Sequence, residues 1–170
     1  MPLSHTVFIG LIDPKSPTNV GAIIRAAGCY LANEVRYTGE RFDRAAKYHT
    51  DTQNTASKIP LIHTDDLLSP LVEHMKVVCV ELAEGASLLT QFEHPENALY
   101  IFGPEDGSIP QSVIDRADSV VYIPTEGCMN LAATVNVVLY DRLSKIAPNG
   151  HNDDIITRSR DTNNRLVFSE

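Results

Sequence analysis

Short, uninterrupted apolar runs alternate along this chain with stretches of helical period. That alternation restricts the fold to an α/β sheet with helices on both faces. Residues 6–12 (TVFIGLI), 76–82 (KVVCVEL), 98–102 (ALYIF) and 119–123 (SVVYI) read as buried strands, and 35–38 is a weaker strand candidate. Their apolar character is continuous rather than alternating, which suits an open, mostly parallel sheet covered on both sides. Between them, residues 19–32 place Ile23, Ala27, Tyr30 and Leu31 at i, i+4, i+7 and i+8, a single core stripe. Residues 110–117 (PQSVIDRA) carry proline in the first turn of a helix, where a missing N–H costs little. The longest helix is predicted over 129–146, apolar round much of its circumference and buried on two sides, with Pro148-Asn149-Gly150 as its stop.

With 170 residues, one domain over 1–147 and a polar tail over 148–170 are expected. Hydrophobic residues make up 43% and charged residues 21%, with a mean hydropathy of −0.12, as in an ordinary globular chain. No apolar run reaches the roughly 18 residues of a membrane span, and the N-terminus lacks the basic start and apolar run of a signal peptide. Cys29, Cys79 and Cys128 are odd in number and widely spaced, which fits a reducing compartment and a cytoplasmic protein rather than a disulfide framework. The histidines (His5, His49, His63, His74, His94, His151) show no ligand spacing such as HExxH, so no metal is expected.

A net charge of −8 argues against a general nucleic-acid coat. The distribution is uneven, however. Seven basic residues face four acidic ones between Lys15 and Lys58, whereas residues 59–126 carry twelve acidic residues and only Lys76 and Arg116 in opposition. A basic face of that kind can bind phosphates, or it can be no more than a solvated helix surface.

Three segments, each leaving a strand and entering a helix, concentrate the candidate chemistry. The first is residues 17–25 (PTNVGAIIR). Asn19 has the character of an N-cap. Arg25 lies about 200° from Ile23 on a helical wheel, so it is either solvated or aimed at a cleft or a second subunit. Gly21, Ala22 and Ala26 form a small-residue patch beside it. The second segment is residues 102–110 (FGPEDGSIP), a rigid turn of two glycines and two prolines around Glu105-Asp106. Such loops gather where ligands sit in open α/β sheets, although a turn alone would account for it. The third is residues 123–135 (IPTEGCMNLAATV), where Asn130 stands at the mouth of the long helix and is also a natural cap. Neither a dinucleotide fingerprint nor a P-loop occurs.

The order N-x-G-x-I-x-R, F-G-x-E-x-G, then I-P followed by N-L before a long helix resembles the three motifs of the SpoU–TrmH family. These are RNA ribose 2′-O-methyltransferases of the SPOUT superfamily, and the chain is most similar to their small tRNA branch, which modifies the anticodon wobble nucleotide. The resemblance runs over about residues 6–145. It implies an α/β fold with a C-terminal trefoil knot, a homodimer, S-adenosylmethionine as cofactor and RNA, by this likeness tRNA, as partner.

Carried onto this sequence, the likeness gives catalytic roles to Arg25, Asn19 and Asn130. Cofactor contacts fall to Leu82, Gly103, Glu105, Gly107, Ile123 and Leu131. Where many relatives carry serine on either side of the third-motif asparagine, this chain has Cys128 and Ala132, so a hydroxyl is lost. An arginine side chain holds its proton at neutral pH and is a poor free base. Arg25 is therefore expected to bind the adjacent phosphate and stabilise a developing alkoxide. A catalytically silent RNA-binding dimer and a nucleotide-binding protein of flavodoxin type are the alternatives from other classes.

Overall fold

The computed structural model describes residues 5–48, 58–146 and 153–169. Its seven strands are β1 (Val7–Leu11), β2 (Glu34–Tyr37), β3 (Leu61–His63), β4 (Lys76–Val80), β5 (Ser87–Leu88), β6 (Ala98–Phe102) and β7 (Ser119–Tyr122). They form one sheet in the order β3-β2-β1-β6-β4-β7-β5, and every pairing in it is parallel. The helices are α1 (Pro17–Cys29), α2 (Arg41–Ala46), α3 (Gln111–Ile114), α4 (Leu131–Ile146) and α5 (Asp153–Ser159).

Residues alternate between two cores across the sheet, as pleating demands. Val7, Ile9, Leu11, Tyr100, Phe102, Val78 and Val80 face α1 and α4, whose Val20, Ile23, Ala27, Leu131, Val135 and Leu139 complete that core. Phe8, Leu99, Ile101, Val77 and Cys79 face the other way, toward Leu67, Met75 and Ile109, with α3 adding Val113 and Ile114. Helices thus cover both faces, as the continuous apolar runs require.

The register places the functional edge. Leu11 pairs with Tyr37 and with Phe102, and Phe102 pairs with Val80. The loops leaving β1, β2, β4 and β6 therefore start level along the carboxyl edge of the sheet. From β1 the chain passes over α1 to β2 on one side; from β6 it passes under α3 to β7 on the other. The reversal puts a topological switch point between β1 and β6, where open α/β sheets hold ligands.

Several sequence-based boundaries shift. α1 starts at Pro17, capped by Ser16, whose hydroxyl accepts from the Asn19 N–H at 3.2 Å; Asn19 is therefore a first-turn residue and not the cap. The helix ends at Cys29 because Leu31 turns into the left-handed region at φ 61°. That removes Leu31 from the core stripe, leaves it 73% exposed, and passes its place to Val20 and Ala26. Ala26, expected in an accessible small-residue patch with Gly21 and Ala22, is buried. α4 begins two residues later than predicted and buries one face only, leaving Val137 and Tyr140 exposed within this chain. α3 shrinks to a single turn behind Pro110. α5 lies in what reads from sequence as a polar tail, while the proposed stop at Pro148-Asn149-Gly150 falls outside the described residues, as do His49 and His151. Among the described residues no helix is long and apolar enough to cross a membrane.

Candidate functional site

The site grows from the way α1 starts. Pro17 fixes φ in its first turn, and Ser16 satisfies one of the free N–H groups. The N–H groups of Lys15 and Ser16, just ahead of the helix, donate instead to the Glu105 carboxylate, at 3.0 and 3.1 Å. An acid at the positive end of a helix is favourably placed. The same carboxylate accepts from Asn19 Nδ2 at 3.2 Å, and the carbonyl oxygen of that Asn19 amide accepts from Asn130 Nδ2 at 3.0 Å. Asn130 in turn caps α4, accepting from the Ala133 N–H at 3.2 Å. One directional chain of hydrogen bonds therefore joins all three segments singled out from the sequence: Asn130 to Asn19 to Glu105.

Burial by itself pushes the Glu105 carboxyl up, but the donors around it (its own N–H, Lys15, the Asn19 amide and Ser16) outweigh that and hold it below the usual carboxylate range. It is thus an anion at neutral pH and an acceptor only. Next to it, Asp106 faces Arg41, whose guanidinium holds that carboxyl down at about 2.

The remaining candidates are distributed more loosely. Gly103 and Gly107 shape the loop after β6: a Cβ on Gly103 would lie 3.2 Å from the Ile109 backbone nitrogen, and the Gly107 N–H closes a turn onto the Pro104 carbonyl. The smallness of Gly103 therefore serves the loop's own packing. Leu82 follows β4 with its side chain 74% exposed at the functional edge. Ile123 leaves β7 half-buried against the α1–α4 core, and the Leu131 side chain is buried within it. Ala132 is buried as well; a serine there would place its hydroxyl in the core, whereas Cys128 is exposed. Arg25 sits six residues beyond Asn19 on α1, about 9 Å along the axis. It is exposed and makes no hydrogen bond or ion pair among the described residues. The structure thus assembles Asn19, Glu105 and Asn130 and leaves Arg25 apart from them within one chain.

Sequence reasoning missed three contributors. Glu81, directly after β4, accepts from the Leu82 and Ile109 N–H groups at 2.8 and 3.0 Å and ties the β4 loop to the β6 loop. An acid ending a buried strand was the available signal. Ser16 and Arg41 complete the set, and neither stands in a recognisable motif. No group of three His, Cys, Asp or Glu side chains among the described residues could hold a metal.

The model of the SpoU rRNA methylase family matches residues 6–140. Among solved structures, one concerned with 2-OH methylation of C/U34 on tRNA is 23% identical, with a TM-score of 0.67 over 85% of this chain and 99% of that one. The SpoU methyltransferase AviRb from Streptomyces viridochromogenes, solved in complex with AdoMet, is 18% identical, with a TM-score of 0.65 over 86% of this chain and 60% of its own. The TrmH/SpoU tRNA modifying enzyme of A. aeolicus is 14% identical, with a TM-score of 0.63 over 89% of this chain and 84% of its own. At these identities the likeness establishes the shared fold. A comparison with curated protein sequences gives no match.

Proposed function

This chain belongs to the SpoU rRNA methylase family, and from that premise we propose that it methylates a ribose 2′-hydroxyl of RNA, in a tRNA, using S-adenosylmethionine. The observation that carries the reading is the hydrogen-bond chain from Asn130 through Asn19 to Glu105, which unites the three motif loops at the switch point of the sheet.

The residues at that edge fit the cofactor. The exposed Leu82 and half-buried Ile123 offer apolar surface suited to a purine, and the loops present Glu81, Glu105 and Glu126, which suit a cationic sulfonium. When bound, the cofactor supplies an electrophilic methyl group. This chain's residues must then bind and orient the RNA ribose so that the attacking oxygen lies in line, and positioning of that kind is worth about 7–11 kcal/mol of barrier. Arg25, without a hydrogen bond or ion pair among the described residues, is assigned to the phosphate beside that ribose, where a guanidinium also stabilises the developing alkoxide. Asn19 and Asn130, locked amide to amide, hold α1 and α4 at fixed spacing and so set where Arg25 stands.

A homodimer forms part of the same proposal. The exposed Leu31, Val137 and Tyr140 (73, 39 and 59% exposed) lie on α4 and at the end of α1, the two helices that pack together. An interface there gives Arg25 a route to a shared site. A knotted path for the C-terminal part of the chain and a cytoplasmic location complete the proposal. The deciding experiment maps 2′-O-methyl marks in total RNA from cells with and without the protein. A mark lost with the gene and restored by the purified protein with S-adenosylmethionine supports it; an unchanged map, together with calorimetry showing no binding of S-adenosylmethionine or S-adenosylhomocysteine, refutes it.

A further inference from the structure

We propose that Arg41 is a positioning residue that locks the loop carrying Glu105 onto the loop after β1, and so presets the Asn19–Glu105–Asn130 chain. Two arginines of α2, one exposed and one half-buried, show the contrast. Arg44 makes a simple i,i+4 pair with Glu40, both side chains over 70% exposed. Arg41, only 32% exposed, spreads its guanidinium over two loops. Nη1 donates to both Asp106 carboxylate oxygens at 2.9 and 3.1 Å, while Nη2 donates to Asp106 Oδ1 at 3.1 Å and to the Asp13 carbonyl at 2.6 Å. Nε lies 2.8 Å from Asp13 Oδ2 as an ion contact rather than an aligned hydrogen bond. A planar fork can serve several acceptors at once in this way; an ammonium cannot.

The backbone is shaped for this contact. Asp13 adopts φ 41°, unusual for a residue with a side chain. Its carboxylate occupies the space where Gly39 would carry a Cβ, and Gly39 itself is at φ 79°. The turn between β2 and α2 and the turn after β1 are thus fitted to each other, with Arg41 reaching over both. Glu105 and Asp106 are consecutive and are held by different partners. Asp106 is held by Arg41 and, at 3.5 Å, by Lys15; Glu105 is held by the amides before α1 and by Asn19. Fixing one of the pair restricts the other.

The inference rests on the proposed reaction only for the identity of its ligand, and the test separates the two. Amide hydrogen exchange of the whole protein is compared in wild type, Arg41→Ala, Arg41→Lys and Asp106→Asn, beside calorimetry with S-adenosylhomocysteine. Arg41→Ala is expected to speed exchange at the Lys15 and Ser16 amides by about tenfold or more, with β6 amides unchanged, and to weaken S-adenosylhomocysteine by a similar factor. Arg41→Lys should recover part of both, and Asp106→Asn should reproduce the loss without adding to that of Arg41→Ala in the double variant. Unchanged exchange at Lys15 and Ser16 overturns the proposal. So does acceleration spread evenly over the sheet, which makes Arg41 a residue of general stability. If wild type binds no S-adenosylhomocysteine while the Lys15 and Ser16 amides still respond to Arg41, the latch stands and the proposed reaction falls.

Discussion

The two ends of α4 are held by polar networks of opposite character. At its start, Asn130, Asn19 and Glu105 are linked at the sheet's carboxyl edge, where solvent reaches them and donors and acceptors remain to be used. At its end the network is buried at its centre, with Lys145 reaching solvent. His94 joins the Tyr100 hydroxyl at 2.7 Å and the Asp141 carboxylate at 2.8 Å, with no exposed side-chain surface. Buried Arg142 donates to the Tyr100 hydroxyl and to the carbonyls of Pro95 and Glu96, and Lys145 closes the group onto Asp141, Leu89 and Phe92. A buried polar network rigidifies only when each member is satisfied, and this one is. The difference separates two tasks: the far end fixes the helix, and the near end is the site proposed for the chemistry. An open site on a helix can be precise only if something else anchors that helix.

Disruption of the buried end should give the largest effect. Arg142→Ala leaves the buried Tyr100 hydroxyl and the carbonyls of Pro95 and Glu96 without their donor and opens a cavity, and a loss of about 3–5 kcal/mol in unfolding free energy is expected, measured as a lowered urea midpoint. A loss below about 1 kcal/mol would mean that the network is not the anchor. Arg25→Ala should do the reverse. Its side chain is exposed and has no partner among the described residues, so stability should change by no more than about 0.5 kcal/mol. Single-turnover methyl transfer to the cognate RNA should fall a hundredfold or more, about 2.7 kcal/mol, with cofactor affinity unchanged. Arg25→Lys should rescue poorly. Full activity in folded Arg25→Ala removes it from the mechanism.

How much of this was legible in the sequence follows from burial and from sequence separation. β1, β4 and β6 stand out because both of their faces are covered, which leaves unbroken apolar runs, whereas β7, also expected as a buried strand, fully buries only Val121. β3 and β5 lie at the two edges of the sheet and are three and two residues long, too short to carry a period. Asn19 was visible as a polar residue at a helix start, but a cap and a first-turn bridge look identical in one dimension. Only the observed start at Pro17 separates them. Asn130 proved to be both cap and bridge. The Arg41–Asp106 contact spans 65 positions and depends on which strands become neighbours, so no local pattern announces it.

The near end can be dissected more finely through Asn130, which does two jobs with two atoms. Its Oδ1 caps α4 and its Nδ2 reaches Asn19. Asn130→Ala should lose both, with about 1 kcal/mol of stability from the cap. Asn130→Asp keeps an acceptor for the Ala133 N–H but has no donor for Asn19. Thermal melts should therefore return toward wild type in Asn130→Asp while methyl transfer stays depressed. Recovery of both together would reduce the bridge to a by-product of capping.

The smallest effect expected is a pH dependence, and it belongs to the buried end. Burial lowers the pKa of His94 below its ordinary 6.5; Asp141 pulls it upward, while Lys145 and Arg142 oppose the proton. The unfolded chain then binds a proton that the folded chain refuses. Stability from this group is fully present above about pH 6.5 and is lost as pH falls from there toward the lowered folded value. Scanning calorimetry from pH 7.5 to 5.5 should show a melting temperature that declines with acidification in wild type. The decline should be flatter in His94→Gln, whose amide can still reach the Tyr100 hydroxyl or Asp141 but does not titrate. Activity corrected for the folded fraction should not follow the same curve, because no atom of His94 touches Asn19, Glu105 or Asn130. An equal slope in both proteins would place the titration elsewhere. A shared curve for activity and melting in wild type alone would mean that the far end of α4 also governs the chemistry at its start.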